Sequence, residues 1–93
     1  MEGTPAGLDV AALEATIRET RGVAAVHDLH AWRIEEGFDA VSVHVVLAPG
    51  AHGVEVAHDV ALQIRRRHGL EHVTVQPEAQ IVPVTALRRD RRA

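Results

Sequence analysis

The run AVSVHVVLA at residues 40–48 constrains the fold more than any other stretch of the chain. In an extended backbone Val41, Val43, Val45 and Leu47 fall on one side, and Ser42 and His44 fall on the other. This is a strand with one face committed to a core. Its neighbours must therefore cover that face with apolar surface and leave the second face polar. Upstream, Val10, Leu13 and Ile17 recur at helical spacing while Glu14, Arg18, Glu19 and Arg21 lie off the stripe, which predicts a helix over 9–20. Asp9 suits its N-cap, Leu8 and Leu13 its hydrophobic staple, and Gly22 its stop. Residues 23–34 read as a first strand with a turn at 35–38. Pro49-Gly50 ends the second strand. Val56, Val60 and Ile64, with Ala57 and Ala61, predict a second helix over 54–68 closed by Gly69. In residues 71–78, Val73 and Val75 face inward while Thr74, Gln76 and Glu78 face outward. The order helix, strand, strand, helix, strand predicts an α+β chain, a ferredoxin-like αββαβ two-layer sandwich with two helices on one face of a three-stranded sheet.

Ninety-three residues make one domain. MEGTPAG at 1–7 reads as a leader or the end of a linker, 8–80 as the domain, and 81–93 as a basic tail. Apolar runs stop well short of the ~20 residues that cross a bilayer, so no transmembrane helix is expected. The absence of Cys excludes disulfides, thiolate metal sites and a cysteine nucleophile. No hydroxyl sits in a Gly-x-Ser-x-Gly elbow, and no Lys follows Gly50 and Gly53 to make a phosphate loop. An enzyme is not expected. Nucleic acid is not an expected partner either: the net charge is −3 and only Trp32 and Phe38 offer rings for base stacking. Arg65, Arg66 and Arg67 at a helix C-terminus complement its dipole.

The seven histidines are the anomaly. Neutral imidazole and carboxylate are the donors that Zn2+ accepts, and they can come from several elements. His27, Asp28 and His30 lie within four residues, His44 is on the adjoining strand, His58 and Asp59 are near the middle of the second helix, and Glu78 ends the last strand. The uncovered sheet face carries Ser42, His44, Thr74, Gln76 and Glu78. In a regular strand His27 and His30 point to opposite faces, and only a bulge would relax this. Bland readings compete for each. A strand His is commonly a surface or hydrogen-bonded residue, His58 and Asp59 suit an exposed helix flank, His68 suits a helix C-terminus, and His52 and His72 suit solvent. No single spacing is diagnostic.

Taken together, residues 22–34 (GVAAVHDLHAWRI), 43–46 (VHVV) and 72–78 (HVTVQPE) resemble the cytoplasmic C-terminal domain of cation diffusion facilitator transporters. The resemblance spans about residues 8–78. G-V-x-x-V-H-D-L-H-x-W is its specific part. It implies a homodimer that binds Zn2+ or a similar divalent ion near the subunit interface, on the cytosolic face of the membrane, and biases an attached transmembrane domain toward transport. By the same resemblance His27, His44 and His58 match ligand positions, with Gln76 and Glu78 where relatives have His and Asp. Gln76 departs from a binuclear site, because an amide is a poor Zn2+ ligand. Asp28 and His30 complete the candidate set. If His27 faces the open side in a regular strand, His30 and Trp32 face the other. A free-standing metal-binding or purely structural dimerisation module is the alternative.

Overall fold

The computed structural model describes residues 8–35 and 38–79. Its elements are α1 (Val10–Glu19), β1 (Val23–Glu35), β2 (Phe38–Leu47), α2 (Gly53–His68) and β3 (His72–Glu78). This is the order expected from the sequence, and the architecture is the ferredoxin-like sandwich.

Helix α1 starts where the capping argument places it. The Asp9 carboxylate accepts the Ala12 backbone N–H at 3.0 Å. Leu8 packs against the cluster that holds Leu13, as a staple requires. Leu13 and Ile17 are completely buried, but Val10 is 39% exposed and drops out of the stripe. Gly22 is not the helix stop. Thr20 caps α1 in an extended conformation, and Gly22, at φ +92, sits in the next turn, which the Val23 N–H closes onto the Thr20 carbonyl at 3.2 Å. Two needs meet at that position: a positive φ, and room for α2, since a Cβ there would lie 2.6 Å from Val56 Cγ2.

Helix α2 ends as predicted, at Gly69 with φ +68, whose N–H reaches the Arg65 carbonyl at 3.0 Å. His68 has a more specific role than dipole complementation. The Thr16 hydroxyl donates to the Ala12 carbonyl at 3.1 Å, so at 2.9 Å it accepts from His68 Nε2–H. That bond joins the two helices.

The sheet order is β1-β2-β3. Strands β1 and β2 form an antiparallel hairpin, whereas β3 returns through α2 to lie parallel to β2, as a strand–helix–strand crossover demands. Val41, Val43 and Val45 are 0–1% exposed and meet Leu13, Ile17, Val56, Val60 and Ile64 in one core. Both helices occupy that face, so the other face of the sheet is open.

Strand β1 departs from the regular phase expected of it. His27 pairs with His44, His30 with Ser42 and Trp32 with Ala40, with a register shift between His27 and His30. Paired residues share a face, so His27, His30 and Trp32 all lie on the open side, and the placement of His30 and Trp32 on the core side is corrected. The cause is a bulge: Asp28 is at φ +53, the one non-glycine with positive φ among the described residues. Beyond it Leu29 and Ala31 turn inward and pack on the core.

Candidate metal centre

The register arranges the open face in cross-strand rows. One row holds His27, His44 and Gln76, the next His30, Ser42 and Thr74, and the third Trp32, Ala40 and His72. Glu78 lies beyond the first row, opposite Val46. One end of the face is thus ionisable. The other carries apolar surface, with Trp32 39% and Ile34 53% exposed, and with the Phe38 ring against that of His72 at a centroid distance of 4.0 Å.

Three strands meet at the ionisable end. Glu78 bridges two imidazoles: its Oε1 is 2.7 Å from His27 Nε2 and its Oε2 is 2.5 Å from His44 Nδ1. One ligand atom from each of the three residues falls within 4.8 Å of the others. On the other side of its ring, His27 Nδ1 meets Asp28 Oδ2 at 2.9 Å. His27 is therefore held between two carboxylates. Its hydrogen bond to Glu78, and then that to Asp28, raise its pKa above 6.5. The hydrogen bonds from His44 and His27 lower the Glu78 pKa below 4.5. Without a metal the cluster favours an imidazolium on a carboxylate. An ion that binds here must displace that proton.

The donor chemistry fits a Zn2+-type ion. Two imidazoles and a carboxylate are borderline nitrogen and hard oxygen donors suited to that class. A Zn2+-type ion held by three such donors would have room for a fourth, and the open face of the sheet leaves the cluster accessible.

The sequence-derived candidates separate on this geometry. His27, His44 and Glu78 come together. Asp28 touches His27 from the side away from Glu78. Gln76 is the parallel neighbour of His44 and exposed, beside the group of three but not in it. His30 lies one row further along. His58 is exposed on α2, in the helical layer across the sheet, and is not brought to the cluster. The position of Trp32 at the far end of the same face was the feature that sequence reasoning misplaced. Asp, one of the few residues tolerant of positive φ, standing between His27 and His30 is the signal that could have revealed it.

The family model described as "Cation efflux protein, cytoplasmic domain" matches residues 5–80. Metal tolerance protein A2 of Arabidopsis thaliana is 39% identical over 80 residues, which cover 86% of this chain and 20% of that protein. The cadmium, cobalt and zinc/H(+)-K(+) antiporter of Bacillus velezensis is 36% identical over 83 residues, covering 84% and 26%. This chain thus spans about a fifth to a quarter of the length of these two relatives. Among solved structures, the metal-bound C-terminal domain of the CzcD transporter from Cuprividus metallidurans is similar at TM-score 0.71 and 33% identity, over 76% of this chain and 99% of that one. A variant MamM-CTD shares the fold at TM-score 0.68 and 16% identity, covering 78% and 92%.

Proposed function

The chain belongs to the family of cation efflux protein cytoplasmic domains, and from that premise we propose that residues 8–80 form a dimeric, metal-sensing regulatory domain of a divalent metal transporter. His27, His44 and Glu78 are its ligands within one protomer, and Zn2+ or a similar divalent ion is what they bind. The convergence of these three residues from three strands carries the reading. The metal-bound state named for the CzcD domain supports it. Gln76 and His30 flank the site without entering it. His58, which rides in the helical layer of its own protomer, enters only from a second copy.

A divalent ion would supply positive charge to a cluster whose hydrogen bonds favour the protonated His27 and the ionised Glu78. His27 would offer Nε2 once unprotonated, His44 a second imidazole nitrogen and Glu78 a carboxylate oxygen to such an ion. The apolar end of the same face, with Trp32 and Ile34 exposed, gives the second copy a surface to bury. On this reading metal occupancy changes how two open faces meet, and an attached membrane part on the cytosolic side feels that change. No catalysis is assigned. The tail at 81–93 lies outside the described residues.

Calorimetric titration of the chain with Zn2+ at neutral pH tests the proposal. Binding that disappears in His44→Ala supports it. Tight binding unaffected by that substitution would remove His44 from the site and the reading with it.

A further inference from the structure

Asp28 is anomalous twice over. It holds φ +53 in the middle of a strand, a conformation that costs an L-residue backbone energy and that glycine would adopt freely. Its carboxylate is also spent on an exposed contact: the Asp28 side chain is 60% and the His27 side chain 45% exposed, and ion pairs at such exposure contribute little to stability. Neither observation is explained by folding alone. Both are explained by the geometry of His27.

The bulge centred on Asp28 sets the phase of β1, so that the register shift falls between His27 and His30. In the same turn of the chain the Asp28 carboxylate faces His27 Nδ1 at 2.9 Å. An imidazole whose Nδ1–H donates to a carboxylate is fixed in rotation and in tautomer, and its Nε2 lone pair is left free for an ion. That nitrogen points at Glu78, 2.7 Å away. We infer that Asp28 is a positioning residue for the metal centre rather than a ligand: its left-handed backbone and its carboxylate together aim His27 Nε2 at the place where Glu78 and His44 converge. The inference rests on the reading of His27, His44 and Glu78 as ligands and adds to it a residue that acts through one of them.

The backbone and side-chain contributions separate in two variants of the whole chain. Asp28→Gly keeps the positive φ and deletes the carboxylate, while Asp28→Asn keeps a residue tolerant of that φ and an oxygen that can accept from Nδ1–H. Zn2+ calorimetry should show affinity reduced roughly 10–100-fold in Asp28→Gly, the range lost with an outer partner of a ligating His, and partly restored in Asp28→Asn. With Co2+ as a spectroscopic probe, both variants should keep the visible band shape and intensity of the unsubstituted protein, because the ligand set is unchanged. In the Zn2+-loaded protein, where the ring proton of a ligating His27 is on Nδ1, 15N spectra should show an Nδ1–H that exchanges slowly with solvent in the unsubstituted chain and rapidly in Asp28→Gly. Equal Zn2+ affinity and unchanged exchange of the His27 Nδ1–H in Asp28→Gly would overturn the inference alone. A Co2+ band altered in Asp28→Asn would overturn it differently, by making Asp28 a ligand. If the unsubstituted chain binds no Zn2+, the ligand reading itself fails and Asp28 has nothing to position.

Discussion

His27 Nε2 and Glu78 Oε1 stand 2.7 Å apart although 51 positions separate the two residues. Each perturbs the other, in opposite directions: His27 titrates above 6.5 and Glu78 below 4.5. A raised imidazole pKa stabilises the fold fully below 6.5 and is lost as pH rises through the folded value. A lowered carboxyl pKa stabilises it above 4.5 and is lost as pH falls through the folded value. Both contributions are complete between pH 4.5 and 6.5. In Glu78→Gln the His27 titration followed by NMR should move down toward 6.5, and the difference in urea midpoint from the unsubstituted protein should be widest inside that window. A His27 titration indifferent to Glu78→Gln would show that the pair does not form in solution.

The same proton competes with metal. Since Zn2+ requires an unprotonated His27 Nε2, affinity should begin to fall above pH 6.5 on acidification, earlier than an unperturbed imidazole would allow. Ligand linkage also predicts a rise in thermal midpoint on adding Zn2+, worth about 2.7 kcal/mol at a free concentration 100 times Kd, and reversed by a chelator. His44→Ala should lose that rise. A purely structural dimerisation module would show the same midpoint with and without metal in both proteins.

Gly22→Ala tests the corner that joins α1 to the sheet. The new Cβ meets Val56 Cγ2 at 2.6 Å and forces a positive φ on alanine. Destabilisation should exceed about 1 kcal/mol, the scale on which such replacements matter where the backbone is compatible. Urea denaturation would measure it. Val56 is buried in the core, so adding Gly22→Ala should cost less in the Val56→Ala background than in the unsubstituted protein, and an equal cost in both would assign the whole effect to φ.

What the sequence made legible was whatever repeats locally. The alternation in β2, the Leu13–Ile17 and Val56–Val60–Ile64 spacings, Asp9 as a cap and Gly69 as a stop each report on a few adjacent turns, and each was found where local physics put it. The metal centre depends on longer relations. Glu78 reaches His27 because β2 lies between β1 and β3, and because β3 runs parallel to β2 after a crossover. No local periodicity encodes that order. Strand β1 differs for another reason: the bulge at Asp28, at φ +53, moves His30 and Trp32 to the face opposite the one a regular strand gives them.

Trp32 bears on association because of that reversal. It shares the open face with the metal cluster and is 39% exposed in the protomer. Buried aromatic anchors of this kind commonly dominate an interface. Trp32→Glu should therefore weaken self-association by about tenfold or more, measured by sedimentation equilibrium, the scale of a single dominant interface residue. Zn2+ binding by the isolated protomer should survive, since the substitution lies in a different cross-strand row from His27 and His44. Unaltered association would place the subunit contact elsewhere.

His58 distinguishes a site complete in one chain from one shared between two. It lies in the helical layer, apart from the group formed by His27, His44 and Glu78, so within a protomer its removal deletes no ligand. If a second copy supplies it to the open fourth position, His58→Ala should still bind one ion per chain through the three strand residues, with the His27 titration unchanged. It should lose the part of Zn2+ affinity that grows with protein concentration, and with it the metal-induced increase in dimer seen by sedimentation. The contrast with His44→Ala is the informative one, because that substitution removes both the ion and its effect on association. A His58→Ala chain whose metal-driven dimerisation matched that of the unsubstituted protein would confine the site to three residues of one protomer and leave the open position to water.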